Sequence, residues 1–282
     1  MDTSKMQAFY GLKWNPFTQE VPVEGLYRTG RIESFCFRLE SLVIDGGFAM
    51  VTGDPGTGKS AALRILAERL ARMRDLTVGS LTRPQSGIGD FYREIGLLFG
   101  FSGSISNRWG AFKTLRERWE SHIATTLFRP VLLIDEAQEM PTPVMSELRL
   151  LGSMSFDSRQ ILTVVLCGDE RLPERLRKED LLPLGSRIKT RLKIEPLSRD
   201  DLVEMMKARL EKAGNASLMT PGLIETLVEH AGGNPRSLLQ TAEEIFAHAA
   251  ATEVRQMDEK LFFDQYPQHE IKPVRRASAR RA

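Results

Sequence analysis

A chain of 282 residues, 41% hydrophobic and 27% charged, has the length for a large core plus a smaller domain and the composition of a globular protein. Lys and Arg number 39 against 37 Asp and Glu, a formal net charge of +2, so bulk charge by itself does not point to nucleic acid. Two cysteines outside any metal spacing and four scattered histidines exclude a disulfide framework and a His/Cys metal box, and no run of about 18 apolar residues or basic-then-apolar leader argues for a membrane span or signal peptide, so a cytoplasmic location is expected.

Residues 1–30 hold Phe9, Tyr10, Trp14, Phe17 and Tyr27 among Gly11, Pro16 and Pro22, which predicts an extended arm anchored by aromatic rings. Those rings either pack or wall an apolar ligand pocket. Residues 31–45 place Ile32, Phe35, Leu39, Leu42 and Val43 at helical spacing, and Gly46-Gly47 leads into a short apolar strand, Phe48-Ala49-Met50-Val51-Thr52.

Directly after that strand comes Gly53-Asp54-Pro55-Gly56-Thr57-Gly58-Lys59-Ser60, a complete G-x-x-x-x-G-K-[ST] loop, followed from Ala61 by a strong helix former. Strand, loop and helix form the setting this motif requires. The glycines let the backbone curl around phosphates, and the loop N–H groups and the start of the helix point at negative charge. Lys59 is expected to reach the β/γ-phosphates and Ser60 to ligate magnesium. ATP and Mg2+ are the expected ligands, held by residues 53–61, and Phe17 of the arm is the candidate wall for the base.

Residues 76–81 read as a second strand, and the loop beyond it contains Arg83, Pro84, Gln85, Ser86 and Gly87. A helix follows from about Asp90 to Phe99. Arg83, Gln85, Ser86 and Arg93 are candidates for holding a DNA backbone, against the alternative of a solvated loop. Residues 107–128 read as an amphipathic helix with its tryptophans, Trp109 and Trp119, in the core. Next, Val131-Leu132-Leu133-Ile134-Asp135-Glu136 is a buried parallel strand ending in two carboxylates. Asp135 is expected to order the magnesium shell and Glu136 to polarise the attacking water.

A helix over residues 143–154 and a buried strand over 161–167 come next, and Asp169, just past that strand, either positions water or forms a turn. Residues 182–194 read as a loop, a basic turn and a last strand. Arg187 and Arg191 there are solubilising charge or, in an oligomer, a residue reaching a neighbour's γ-phosphate. Beyond Pro196 only helices follow, opened by Ser198, by Thr220-Pro221 and by Asn234-Pro235-Arg236, with a short fourth from Asp258 to Tyr266. Residues 271–282 hold five basic residues and no acid, which predicts a disordered tail. The expected division is an arm (1–30), an α/β nucleotide-binding domain (31–195), a helical lid (196–267) and a basic tail (268–282).

The phosphate loop, the strand ending Asp135-Glu136, Arg187 before the last strand and Asn234-Pro235-Arg236 at a lid helix, in this order, resemble the AAA+ ATPases. Gly11-Leu12 with Asn15-Pro16-Phe17, Asp135-Glu136-Ala137-Gln138, residues 147–151 and Ser186-Arg187-Ile188 resemble the ExeA-like branch, which includes secretion-associated ATPases and, close to them, the transposition regulators TniB, TnsC and MuB. The resemblance implies an α/β fold of the AAA+ P-loop NTPase type, a parallel sheet flanked by helices with a small helical lid. It places Asp169 at sensor 1, although Thr, Asn or Gln is usual there, Arg187 at the arginine finger and Arg236 in sensor 2. The secretion members usually continue into a membrane span and a cell-wall-binding domain. A basic tail in their place favours the transposition regulators, and with them sequence-tolerant binding of double-stranded DNA, a transposase partner, self-assembly into a ring or helical filament and no membrane. The alternative is a secretion-associated or protein-remodelling ATPase without DNA binding.

Overall fold

Three largely apolar runs form strands buried on both faces, as runs without polar alternation predict. They are β1 (Gly47–Gly53), β3 (Arg129–Ile134) and β6 (Thr163–Gly168), and two further strands flank them, β2 (Leu76–Leu81) and β7 (Ile188–Ile194). In β7 the sequence Ile-Lys-Thr-Arg-Leu-Lys-Ile alternates strictly between buried and exposed, as a strand with one covered face must. The five strands pair in the order β2-β3-β6-β1-β7, all parallel. The computed structural model describes residues 3–81, 83–100, 108–125, 129–154 and 158–266, so the basic tail, Asn107 and residues 126–128 of the expected central helix lie outside it.

The chain divides into two units. One comprises Pro22–Ser198 with Asn234–Arg236 and holds the sheet. Its helices are α2 (Gly30–Asp45), α3 (Lys59–Ala71), α4 (Ile88–Leu98), α5 (Arg108–Thr125), α6 (Thr142–Gly152) and the short α7 (Arg171–Arg175) and α8 (Leu182–Gly185). Ser153 and Met154, the last two residues of the helix expected over 143–154, instead form β4 (Ser153–Met154), which pairs antiparallel with β5 (Arg159–Gln160). Phe91, Tyr92, Leu115, Trp119, Leu132, Leu148 and Val164 belong to one core cluster of this unit. Trp119 is buried there, but Trp109 is 72% exposed and stacks on Phe112 instead, which corrects the expectation that both tryptophans are core. Glu147 is buried and accepts from Tyr92 and Arg108, so its charge does not enter the core unpaired.

The second unit is helical and comprises residues up to Val21, Arg199–Gly233 and the described residues from Ser237. Its elements are α1 (Thr3–Tyr10), α9 (Arg199–Ala213), α10 (Pro221–Ala231), α11 (Pro235–Ala251), whose first two residues group with the sheet unit, and α12 (Glu259–Gln265). Thr220 caps α10 and Asp258 caps α12, each accepting from the N–H three residues on. The arm is not wholly extended, since residues 3–10 are helical and the chain leaves that helix only at Gly11. It is tied to the helical unit by Tyr10 Oη donating to Val254 O at 2.8 Å, by Lys13 N donating to Ala213 O at 2.7 Å, and by rings packed on Phe246. Among the described residues no helix is long and apolar enough to cross a membrane.

Arg209 is 6% exposed and donates Nε to Pro16 O (2.7 Å) and Nη2 to Thr18 O (3.0 Å). Arg209→Ala should therefore release residues 12–21 and lower stability by about 2 kcal/mol, through two lost charge-assisted hydrogen bonds. Limited proteolysis and urea denaturation check this. Cleavage of that segment no faster than in the parent would mean that the aromatic packing holds it alone.

Candidate active site

Parallel pairing brings three strand ends to one edge of the sheet. Thr52 is in register with Gly168, and Ile134 with Leu166, so the loop after Gly53, the carboxylates after Ile134 and the residue after Gly168 emerge side by side. Loop residues Gly56 and Gly58 have φ of 84° and 105°, left-handed conformations that a Cβ would strain. At Gly56 a Cβ would also come within 2.5 Å of Asn234 Oδ1. Gly58 opens α3 without any side-chain cap, which leaves the helix's first N–H groups for an anion. Lys59 is buried beneath the loop and donates Nζ to Gly53 O and Asp54 O, both at 3.0 Å, while Thr57 Oγ1 donates to Asp54 O at 2.8 Å.

Ser60 Oγ donates to Asp135 Oδ2 at 2.9 Å. A hydroxyl and a carboxylate oxygen side by side, next to a phosphate loop, form the hard-oxygen set that Mg2+ takes, so these two residues fit the expected ion. Cys167 lies beneath them. Burial, with the Asp135 carboxylate adding to it, pushes this thiol far above its ordinary range, and it stays neutral.

Glu136 sits at φ 51° and ψ 37°, an uncommon left-handed conformation for a residue with a side chain. Its N–H donates to Asp135 Oδ1 at 3.0 Å, its carbonyl accepts from Glu139 N at 2.9 Å, and its carboxylate accepts from Gln138 Nε2. Asp169 receives Arg171 N at 2.9 Å and Arg171 Nε at 2.8 Å, and Arg171 also pairs with Glu139. Partial burial works against the charge on Asp169, yet the hydrogen bonds from Arg171 outweigh it and hold the carboxyl below its usual range. The Asp169 carboxylate thus closes a turn on Arg171.

Asn234 and Arg236 reach the loop directly. Asn234 Nδ2 donates to Pro55 O at 3.2 Å and Arg236 N to Gly56 O at 3.2 Å. Arg187 and Arg191 lie elsewhere. Ile188 is in register with Phe48 and Ile194 with Gly53, so Arg187 is at the amino edge of the sheet, roughly 20 Å from its own phosphate loop. It donates to Pro183 O. Arg191 is exposed in mid-strand, donates to Gly185 O at 3.3 Å, and lines a cleft of about 380 Å3 with Arg31, Arg38 and Lys193. Phe17 is 2% exposed and packs on Phe246 within the helical unit, so packing accounts for its ring. Of the DNA candidates, Arg93 is ion-paired with Asp90 and Ser86 Oγ closes its own turn on Arg83 O, while Arg83 and Gln85 are exposed. Sequence reasoning assigned no individual role to Gln138, Asn234 or Arg171, although Gln138 and Asn234 each stood in a quoted motif, Asp135-Glu136-Ala137-Gln138 and Asn234-Pro235-Arg236.

The fold that this sheet and loop define is that of an AAA+ P-loop NTPase, and residues 44–176 match the family model described as an AAA domain. Over 233 residues the chain is 31% identical to General secretion pathway protein A of Aeromonas hydrophila, an alignment that covers 81% of this chain and 42% of that protein. The chain thus spans about two fifths of that relative's length. Among solved structures it resembles the ORC2 protein of Aeropyrum pernix in ADPNP-ADP complexes, with a TM-score of 0.72 and 15% identity over 90% of this chain and 71% of the other. It also resembles Drosophila ORC bound to DNA, with a TM-score of 0.67 and 20% identity over 94% and 67%. At these identities the likeness to the solved structures is one of fold.

Lys59→Ala removes the cation beneath the loop and should weaken binding of a fluorescent ATP analogue at least 100-fold, a loss in line with a charge-assisted contact to phosphate. The circular dichroism spectrum should stay unchanged. An affinity within threefold of the parent would show that the loop amides alone hold the nucleotide.

Proposed function

We propose that this chain is a Mg2+-dependent ATPase that drives a secretion-type or other protein-remodelling assembly as a head-to-tail oligomer. The observation that carries the reading is the 31% identity to General secretion pathway protein A across four fifths of the chain, which spans the phosphate loop and the acidic strand. Lys59 and the loop amides bind the β/γ-phosphates, and Ser60 and Asp135 hold the metal. Bound magnesium neutralises charge on the phosphates. Glu136 takes a proton from the attacking water as its oxygen bonds to the γ-phosphorus, and the bond to the bridging oxygen of ADP breaks. Arg236 belongs to the nucleotide site through its place on the loop. Arg187, too far from its own site, serves the γ-phosphate of a neighbouring subunit.

The other reading of the residues, a transposition regulator that binds target DNA and recruits a transposase, now rests on Arg83, Gln85 and the basic tail. The identity to a secretion protein supports the remodelling reading over it. Fluorescence anisotropy with an arbitrary 30-base-pair duplex, at low salt and with ATP, is expected to detect no ATP-dependent binding. Binding that needs ATP and falls steeply with added salt would reinstate the DNA-directed reading.

Glu136→Gln should keep nucleotide affinity and slow hydrolysis by about 100-fold or more, the usual contribution of a general base. Arg187→Ala should be equally slow alone. Mixing the two variants should recover activity, because a mixed interface can pair an intact Glu136 with a neighbour's Arg187. Phosphate release from the mixture no faster than from either variant alone would rule out a trans-acting Arg187.

A further inference from the structure

Gln138 stands on the turn after Glu136, just past the end of β3, and it is buried at 5% exposure. Both ends of its side-chain amide are used. Oε1 accepts from the backbone N–H of Asp169 at 3.2 Å, and Nε2 donates to Glu136 Oε2. The orientation is fixed chemically, since a peptide N–H only donates, so the amide oxygen faces Asp169 and the NH2 faces the carboxylate. The space is fitted as well. A Cβ on Gly168 would come within 2.5 Å of Gln138 Oε1, so the glycine that ends β6 leaves room for this amide. Arg175 completes the clamp from outside, donating to Gln138 O and, at 2.7 Å, to Met140 O.

We propose that Gln138 is a positioning residue for hydrolysis, holding the Glu136 carboxylate in one orientation by tying it to the end of β6. This rests on the reading of Glu136 as the base that activates water. A glutamate side chain on an exposed turn samples several rotamers, and a base is effective only when its oxygen meets the water in a near-attack geometry. The left-handed backbone of Glu136 aims the side chain, and the Gln138 amide removes the remaining freedom. Because the same amide grips the Asp169 N–H, any shift of the β6 end reaches Glu136 directly. Asp169's own carboxylate does not do this, being engaged by Arg171.

Two substitutions separate positioning from simple packing. Gln138→Glu keeps an oxygen for the Asp169 N–H and nearly the same shape, but it turns the donor facing Glu136 into a second carboxylate oxygen. Gln138→Met fills the space and removes both hydrogen bonds. For each variant, steady-state ATP hydrolysis and affinity for a fluorescent ATP analogue are measured, with thermal denaturation as the folding control. Both are expected to lose about 10–100-fold in kcat with nucleotide affinity within threefold of the parent, part of what a well-placed base supplies. On a Glu136→Gln background, Gln138→Glu should cause no further loss, because Gln138 acts only through the group already removed. A folded Gln138→Glu variant with parental kcat overturns the inference and leaves Glu136 as the base. A loss that multiplies with that of Glu136→Gln also overturns it. Parental turnover by Glu136→Gln alone would instead remove the reading of Glu136, and the role of Gln138 with it.

Discussion

The hydrogen bond from Ser60 Oγ to Asp135 Oδ2 joins two parts of the chain 75 residues apart, and the rest of the site depends on it. Ser60 stands on the first turn of α3 and Asp135 on the end of β3, and β6 lies between β1 and β3 in the sheet. Their oxygens meet only if both strands keep register with β6, which pairs Val51 with Cys167 on one side and Ile134 with Leu166 on the other. A slip of one residue in either pairing would move every side chain of that strand to the opposite face. In strands buried on both faces such a slip would also break the close packing of side chains above and below the sheet.

Where local chemistry decides, the sequence was a sufficient guide. The phosphate loop needs left-handed glycines at defined places, helix starts need a Thr or Asp cap, and buried parallel strands need unbroken apolar runs. Each of these is written within eight or so consecutive residues. The AAA+ architecture, with its sheet and helical unit, followed from them in order. The arm shows where such reasoning stopped. Pro16 and Pro22 restrict the chain near themselves and say nothing of residues 3–10, whose helix lies on the helical unit through Tyr10 and Phe246. Packing over a separation of more than 200 residues leaves no trace in a short window.

The tryptophans of α5 fail for a geometric reason. Trp119 shares its face with Leu115, Ala111 and Ile123, spaced by fours, and all are buried. Trp109 lies two residues before Ala111, roughly 160° round the helix from it, so it points away from the face that Ala111 buries. Steps of three and four that look regular pairwise drift when chained. Gln138 was illegible for another reason. Its role needs a single turn of 3-10 helix to fold its amide back on Glu136, and it needs a glycine 30 residues further on to make room. Neither condition has a local signature, and the motif around it shows only two acids and a polar residue.

The two edges of the sheet also divide the chemistry. The phosphate loop and the side chains proposed to hold the metal and activate water stand at the carboxyl edge, whereas Arg187 stands before β7 at the amino edge, about six strand residues away. An arginine side chain spans only about a third of that length. If an arginine at this position meets a γ-phosphate, that phosphate is therefore bound by another subunit, and the contact joins two different faces of the molecule. Such a contact is heterologous, so it repeats around a ring or along a helix rather than closing a pair. Completion of one subunit's site would then depend on its neighbour, and hydrolysis would report on assembly as much as on nucleotide.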